Sequence, residues 1–332
     1  MHALRLYAGP LARQHLEQHG LRPQDVGAIP AAAGGPKGLI LGPLDRLLFG
    51  QWLPLSTQPI DLIGASIGAW RMAAACLDDT VVALRRLETD YIGQQFEWRE
   101  EQKQPSAEEV SRQFRQNLAS FFGGREAQVL GHSRYRLHVV ASRGHGMLAR
   151  DGRWRTPLGY AAAFALNAVS RRSLATLIDR VVFSGGQGAA LAALPFETGD
   201  LPTHQVRLDS RNFMDALQAS CSIPFVLSPV HDIAGAPRGA YWDGGITDYH
   251  MHLRYRLSAT SPLVLYPHFQ RAVVPGWLDK SWKRRHLSSP ALDAMLVIAP
   301  DPQWVCSLPN GKLPDRTDFT RYGRDLAARV RV

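Results

Sequence analysis

The sequence predicts an α/β fold in which a central, mostly parallel or mixed sheet lies between helices in three layers. Two units of the form strand–loop–helix follow one another, at residues 26–50 and 60–77. Consecutive units of this kind are typical of a sheet with crossover helices. The composition agrees with a globular chain, since 45% of the 332 residues are apolar and 20% are charged.

The elements of these two units follow from the hydrophobic pattern. A short helix is predicted in GPLARQHLEQHGL, with Pro10 early and Gly20 as its stop. The first strand, VGAIPAA (26–32), then enters the glycine loop AGGPKG (33–38), after which LILGPLDRLLFG has helical spacing. The second strand, IDLIGA, leads through Ser66 into IGAWRMAAACL, which is rich in alanine and helical.

After residue 95 the chain is predicted to contain a polar helical insertion, further strands and helices, and a C-terminal extension. A polar helical insertion is predicted at about 95–122, where a capping box of Ser106 and Glu109 begins an amphipathic helix. This helix either packs its apolar side on the core or serves as a membrane-binding lid. Further strands are predicted at 135–142, 203–209, YWDGG and SPLVLYPHF, and helices in 158–180 and FMDALQASC. We expect one domain at 1–270 and a C-terminal extension at 271–332, whose structure the pattern does not define.

Charge and cysteine usage limit the class of protein. The net charge of +9 favours anionic partners, but the basic residues are spread along the chain, so no nucleic-acid partner is predicted. No apolar run approaches the roughly 20 residues that span a bilayer, and no secretory signal is predicted. Three widely spaced cysteines follow no metal or disulfide pattern and indicate a cytoplasmic protein: Cys76, Cys221 and Cys306.

The stretch GASIG places Ser66 between Gly64 and Gly68, directly after a strand and before a helix. Flanking glycines allow a tight turn that exposes the serine Oγ, and the following helix directs its free N–H groups to the same place. This context predicts a nucleophile. Gly34 and Gly35 of the preceding glycine loop can supply further N–H donors to an oxyanion, and Lys37 adds positive charge.

Two kinds of base could activate this serine. The usual order of an α/β-hydrolase triad requires a late histidine, for which the candidates are His250, His252, His268 and His286. Asp243 is the other candidate, because WDGG places it at a strand end before two glycines, Gly244 and Gly245. Burial raises the pKa of such a carboxylate and makes it a stronger base.

Four motifs in order resemble the patatin-like phospholipase family: the glycine loop, GASIG, ASCSIPF and DGG, across roughly residues 26–266. The resemblance implies a Ser–Asp dyad with Ser66 as nucleophile and Asp243 as base, and it requires no metal or cofactor. Oxyanion donors would be the N–H groups of Gly34, Gly35 and Ile67. Matching motif positions are Lys37, Gly38, Gly64, Gly68, Gly244 and Gly245, and in the third motif Ala219, Ser220, Ile223 and Pro224.

Two departures from the family pattern bear on function. Ala32 and Ala33 stand where the family usually has Asp and the first Gly of the oxyanion loop. The implied activity is hydrolysis of lipid or other fatty acyl esters. The alternatives are a histidine-dependent esterase and a lipid-binding protein without catalysis, and the departure in the loop favours the latter.

The second departure is that residues 271–332 lie outside the shared pattern. PGWLDKSWKRRH within them is compatible with peripheral contact at an anionic lipid surface. Trp277 and Trp282 would then serve as anchors beside Lys280, Lys283, Arg284 and Arg285. Alternatively, the segment is a surface loop whose tryptophans pack inward.

Overall fold

The computed structural model describes residues 2–95, 105–186 and 191–332. These residues contain one ten-stranded sheet, with strands β1 (Leu4–Ala8), β2 (Val26–Ala31), β3 (Ile60–Gly64), β4 (Tyr135–Gly144), β5 (Ile178–Ser184), β6 (Thr203–Arg207), β7 (Val230–His231), β8 (Ala240–Asp243), β9 (Leu263–Pro267) and β10 (Met295–Pro300). The α-helices are α1 (Pro10–His19), α2 (Gly42–Leu47), α3 (Ile67–Ala75), α4 (Thr80–Gly93), α5 (Ala107–Phe122), α6 (Glu126–Leu130), α7 (Arg155–Val169), α8 (Phe213–Cys221), α9 (Gly245–Asp248), α10 (Pro302–Ser307), α11 (Arg316–Tyr322) and α12 (Leu326–Arg331).

The strands lie in the order β1-β10-β9-β2-β3-β4-β5-β6. Neighbours from β10 to β4 are parallel, as are β5 and β6, whereas β1 and β5 run antiparallel to β10 and β4. Strands β2, β9 and β10 consist almost entirely of apolar residues, as is typical of parallel strands with a neighbour on each edge and both faces covered. The prediction of an α/β fold with a mixed, mostly parallel sheet is confirmed.

Successive side chains of a strand point to opposite faces of the sheet, so the hydrophobic core has one part on each face. Leu62 of β3 packs in the cluster that includes Trp70 of α3 and Phe121 of α5. Ile63, the next residue, packs on the opposite face with Met251 and Phe269. Helices α3, α4, α5 and α8 therefore cover one face, and α9 and the segments around Met251 and Phe269 cover the other.

One detail of the sheet positions the candidate site. β3 pairs with β4 in parallel as far as Gly64, which lies opposite Val139. On the same edge of β4, β8 runs in the opposite direction and ends with Asp243 opposite Ala141. The carboxyl ends of β3 and β8 therefore face each other across a single residue of β4, Val140.

Most predicted elements form, but four strands were not predicted from the sequence. The helix predicted within 158–180 ends at Val169, and β5 follows it from Ile178. The other strands that were not predicted are β1, β7 and β10. Since β10 pairs with β9 and β1, the sheet includes residues beyond 270.

The capping box of Ser106 and Glu109 forms as predicted, and Leu118 and Phe121 of α5 are buried in the core. The first part of the insertion, 96–104, lies outside the described residues. Across the described ranges, none of the helices has the length and apolar character needed to cross a membrane.

Candidate active site

Ser66 occupies the sharp turn between β3 and α3. Its backbone has φ 55° and ψ −132°, a region that side-chain-bearing residues rarely adopt and that costs about 1–3 kcal/mol. The backbone packs so closely here that neither Gly64 nor Gly68 could carry a side chain. A Cβ on Gly68 would lie 2.1 Å from the Ala31 carbonyl oxygen, and one on Gly64 would lie 2.5 Å from the Ala69 nitrogen. The two glycines of GASIG are therefore required by space.

Ser220 holds this turn in place from the end of α8. The Ser66 N–H donates to the Ser220 Oγ at 2.9 Å, and that hydroxyl donates to the Val140 carbonyl at 2.6 Å. Because Ser220 is fully buried, the Ser66 N–H, the Ser220 hydroxyl and the Val140 carbonyl satisfy one another's hydrogen bonds. The ASCSIP stretch, for which the sequence offered no chemical account, thereby ties the serine turn to the centre of β4.

The same stretch also holds Asp243. The Asp243 N–H donates to the Ser222 carbonyl at 2.9 Å, and the Gly244 N–H donates to the Ser220 carbonyl at 3.2 Å. A Cβ on Gly244 would lie 2.0 Å from the Val140 oxygen, so glycine allows the close approach of β8 to β4. One segment thus positions both members of the predicted dyad.

The Asp243 carboxyl lies in a setting that favours a base. Burial raises the pKa of Asp243 to about 6. A hydrogen-bonding contact with the Ser66 side chain and the Gly245 N–H, which donates to Oδ1 at 2.7 Å, oppose this rise, as do the more distant charges of Arg316 and Lys280. Ser66 and Asp243 line one pocket, so the structure brings the predicted nucleophile and base together.

The glycine loop lies beside them. Gly35 begins a 3-10 helix (Gly35–Leu41) and Ile67 begins α3. First helical positions have N–H groups without intrahelical acceptors, and both residues line the neighbouring apolar cavity together with Ser66. Gly34, the residue before the 3-10 helix, lines the pocket with Ser66. Gly35 has a φ of 57°, which favours glycine.

The remaining motif residues surround these donors. Gly38 packs against Ile67, since a Cβ there would lie 3.3 Å from the isoleucine Cγ2. Ala33, one of the two departures from the family pattern, is buried, and a Cβ on Gly245 would lie 2.7 Å from its Cβ. The alanine therefore packs against Gly245 at the wall of the pocket. Lys37 lines the pocket, with Nζ 5.9 Å from the centre of the Phe269 ring.

Ser66 lies at the junction of two cavities of opposite character. The first, of about 270 Å³, contains Asp243 and the cations Lys37, Lys280 and Arg316. The second, of about 200 Å³, is apolar and is lined chiefly by the following residues: Ile67, Trp70, Tyr91, Val110, Phe114, Cys221, Ile223, Val226, Leu227 and Phe319. A substrate bound at Ser66 would therefore meet an apolar environment on one side and a positively charged one on the other.

The late histidines point to other partners. His250 contacts the Ala272 carbonyl and His268, and burial lowers the pKa of both imidazoles. His252 contacts the Val273 carbonyl and Ser289, while His286 contacts the Asp279 carbonyl. No histidine lines either cavity around Ser66 in the described chain.

Several cavity residues were not predicted from the sequence, among them Arg316, Phe319 and Lys280. Arg316 and Phe319 come from α11, which the sequence analysis did not predict, although a capping box of Asp315 and Asp318 marks its start. Lys280 belongs to the segment that the sequence left open between a lipid-contacting surface and an ordinary surface loop, and it lies in the pocket with its Nζ 4.1 Å from the centre of the Tyr249 ring. Among the described residues, no three His, Cys, Asp or Glu side chains are arranged to hold a metal ion.

Fold and site together define an α/β protein with a serine on a strained strand-to-helix turn and a buried carboxylate beside it. A comparison with protein families matches residues 58–250, more than half of the chain, to the family described as patatin-like phospholipase. The chain belongs to this family, which implies a serine acyl hydrolase acting on lipid acyl esters. No curated protein and no solved structure matches it.

Proposed function

We propose that this protein hydrolyses lipid or other fatty acyl esters, with Ser66 as nucleophile and Asp243 as base. The observation that carries the proposal is a serine on a strained turn that shares a pocket with a buried carboxylate of pKa about 6. A group with a pKa near the working pH can both accept and return a proton. The family match supports the reaction class.

The reaction follows from this arrangement in two steps. The Ser66 Oγ attacks the ester carbonyl carbon while Asp243 takes the hydroxyl proton, and N–H groups of Gly34, Gly35 and Ile67 stabilise the oxyanion. The acyl C–O bond then breaks, and Asp243 returns the proton to the departing alcohol. Water, deprotonated by the same carboxylate, attacks the acyl-enzyme, the bond between the acyl carbon and Ser66 Oγ breaks, and Asp243 returns the proton to that Oγ as the fatty acid leaves. The apolar cavity takes the acyl chain.

A fluorophosphonate probe tests this proposal, because it reacts with an activated serine. We expect the wild type to be labelled and the Ser66→Ala variant not to be labelled. Ser120→Ala, which removes an exposed hydroxyl on α5, serves as the matched control and should label like the wild type. A folded wild type without labelling would favour a lipid-binding protein without catalysis. Labelling that persists in Ser66→Ala would assign another nucleophile.

We also propose peripheral contact with an anionic lipid surface, through the outward side of α7. This side carries apolar residues, of which Leu158 is 56% and Val169 84% exposed. Phe164 stacks on Trp282, with ring centroids 6.0 Å apart, and Lys283 and Arg284 are exposed beside it. Apolar side chains rimmed by cations suit the interface of an anionic bilayer. Trp277, the other predicted anchor, packs inward at the pocket instead.

Sedimentation with vesicles checks this surface. We expect binding to phosphatidylcholine vesicles containing half phosphatidylglycerol, weaker binding to pure phosphatidylcholine, and about tenfold weaker binding of Phe164→Ser to the anionic vesicles, since burying one such side chain is worth about 1.5–3 kcal/mol. Leu11→Ser, an equally drastic change on α1, controls for general effects. If Phe164→Ser bound the anionic vesicles as well as the wild type does, the proposal would be wrong. It would also be wrong if the wild type bound no vesicles and instead formed a dimer that Phe164→Ser dissociates.

A further inference from the structure

Three cations of the polar cavity have no anionic partner among the residues that the structure describes. Lys37, Lys280 and Arg316 all line it, and within the described ranges none of the three forms an ion pair. This distinguishes them from other basic residues nearby. Arg285, for example, is paired with Asp279 at 2.7 Å, and Arg171 contacts the same carboxylate at 3.1 Å. The charge of the three cations is therefore left for something else to balance.

The carboxylates of the cavity do not provide that balance. Asp315 is held by Lys312 at 2.6 Å and accepts the Thr317 N–H at 2.8 Å. Asp243 is the other carboxylate in the lining, and it faces three cations. Partial burial and repulsion from Lys37 and Arg316 lower the pKa of Lys280 to about 8. Such repulsion is relieved when an anion enters.

The position of the cations relative to Ser66 indicates which part of a substrate they meet. Arg316 lines both cavities and so lies at their junction, and a Cβ on Gly35 would be 3.5 Å from its Nε. With the acyl chain in the apolar cavity, the alcohol portion of the ester extends into the polar one. The cations therefore face the leaving alcohol.

We propose that Lys37, Lys280 and Arg316 form a subsite for a phosphate carried by the leaving alcohol, and that the enzyme prefers esters whose alcohol is net anionic. This inference rests on the proposed function. The guanidinium and two ammonium groups suit the several oxygens of a phosphate. A choline head group would be disfavoured, because Lys280 already covers the Tyr249 ring and lies 5.5 Å from the centre of the Trp277 ring. Hydrolysis adds water across the acyl C–O bond and releases a fatty acid and the phosphate-bearing alcohol.

Three short-chain esters with the same acyl group test the preference below their micelle concentrations, so that vesicle binding has no part. These are a monoacylglycerol, its 3-phosphate and its 3-phosphocholine. We expect the highest kcat/KM for the phosphate. Lys280→Gln combined with Arg316→Gln should reduce the preference over the neutral ester, measured as the ratio of the two kcat/KM values in each protein, about tenfold or more, as loss of charge-assisted hydrogen bonds does. Arg324→Gln, an exposed cation of the same segment, should leave the ratio unchanged.

Binding measured by calorimetry separates this inference from the proposed function. Ser66→Ala should bind glycerol 3-phosphate, and the triple variant with Lys280→Gln and Arg316→Gln should not. Stronger binding of glycerol 3-phosphate than of inorganic phosphate assigns the site to a phosphate within a larger alcohol. A wild type that hydrolyses the neutral ester as well as the phosphate ester overturns the inference while the proposed hydrolase stands. Absence of saturable glycerol 3-phosphate binding overturns it too, whatever the activity.

Discussion

Asp243→Asn should reduce ester hydrolysis about 10³-fold or more while the protein stays folded, because general acid–base catalysis contributes 10²–10⁴ and this carboxylate acts in both steps. The amide keeps the size of the carboxyl, and its oxygen can still accept the Gly245 N–H. Raising the pKa from 3.8 to about 6 corresponds to roughly 3 kcal/mol against the ionised form. The neutral amide avoids this cost of burying a charge, so the variant should melt at or above the wild-type temperature.

The pH dependence of the wild type gives a second readout of the same residue. Asp243 must be ionised to accept the Ser66 proton, and its pKa lies at about 6. The value of kcat/KM should therefore fall as the pH decreases through about 6. The residual activity of Asp243→Asn should lack this decline.

Control variants distinguish this dyad from a triad with histidine. Asp232→Asn makes the same change in a loop where Oδ1 accepts the Gly239 N–H, and it should retain full activity. His252→Gln and His286→Gln should also remain active, since these imidazoles contact Ser289 and the Asp279 carbonyl. An inactive histidine variant together with an active Asp243→Asn would assign the base to histidine.

The central units of the fold were predictable because their strands and helices follow one another with clear apolar periodicity. The strands that were not predicted lack this clear periodicity, and β7 is only two residues long. β5 continues directly from a helical pattern, and a short apolar run such as IDRVVFS suits a buried helix as well as a strand. β1 is an edge strand whose side chains are largely exposed, so hydrophobic alternation gives no signal there. β10 is a continuous apolar run in a segment rich in Pro, Trp and charge.

Some residues of the candidate site could likewise be predicted from local sequence, and others could not. Ser66 and Asp243 could be proposed because glycines that the local geometry requires lie on both sides of Ser66 and directly after Asp243. Lys280 and Arg316 have no local signature, since their place in the pocket depends on how the last sixty residues fold over the sheet. Ser220 was matched to a family motif, but its bond to the Ser66 N–H joins residues 154 positions apart. No spacing rule predicts such a contact.

Ser220→Ala should therefore impair both stability and catalysis, although this residue touches no substrate. Removing its hydroxyl leaves the Ser66 N–H and the Val140 carbonyl without partners in a dry interior. Each unsatisfied group costs about 1–3 kcal/mol, so the two together should lower the free energy of unfolding by about 2–6 kcal/mol. Once the strained turn is released, the Ser66 Oγ shifts relative to Asp243, and a displacement near 1 Å lowers kcat about 10²-fold.

Ser222→Ala is the matched control, because it removes an equally buried hydroxyl two residues away. The Ser222 Oγ donates to the Gln218 carbonyl within the turn that ends α8, so this variant should lose about 1 kcal/mol of stability and little activity. Denaturant unfolding and the rate of fluorophosphonate labelling measure the two effects separately. If Ser220→Ala were labelled at the wild-type rate, the α8 hydroxyl would serve folding alone. A rate restored towards wild type in Ser220→Thr, which keeps the hydroxyl, would show that the hydrogen bonds themselves hold the nucleophile in place.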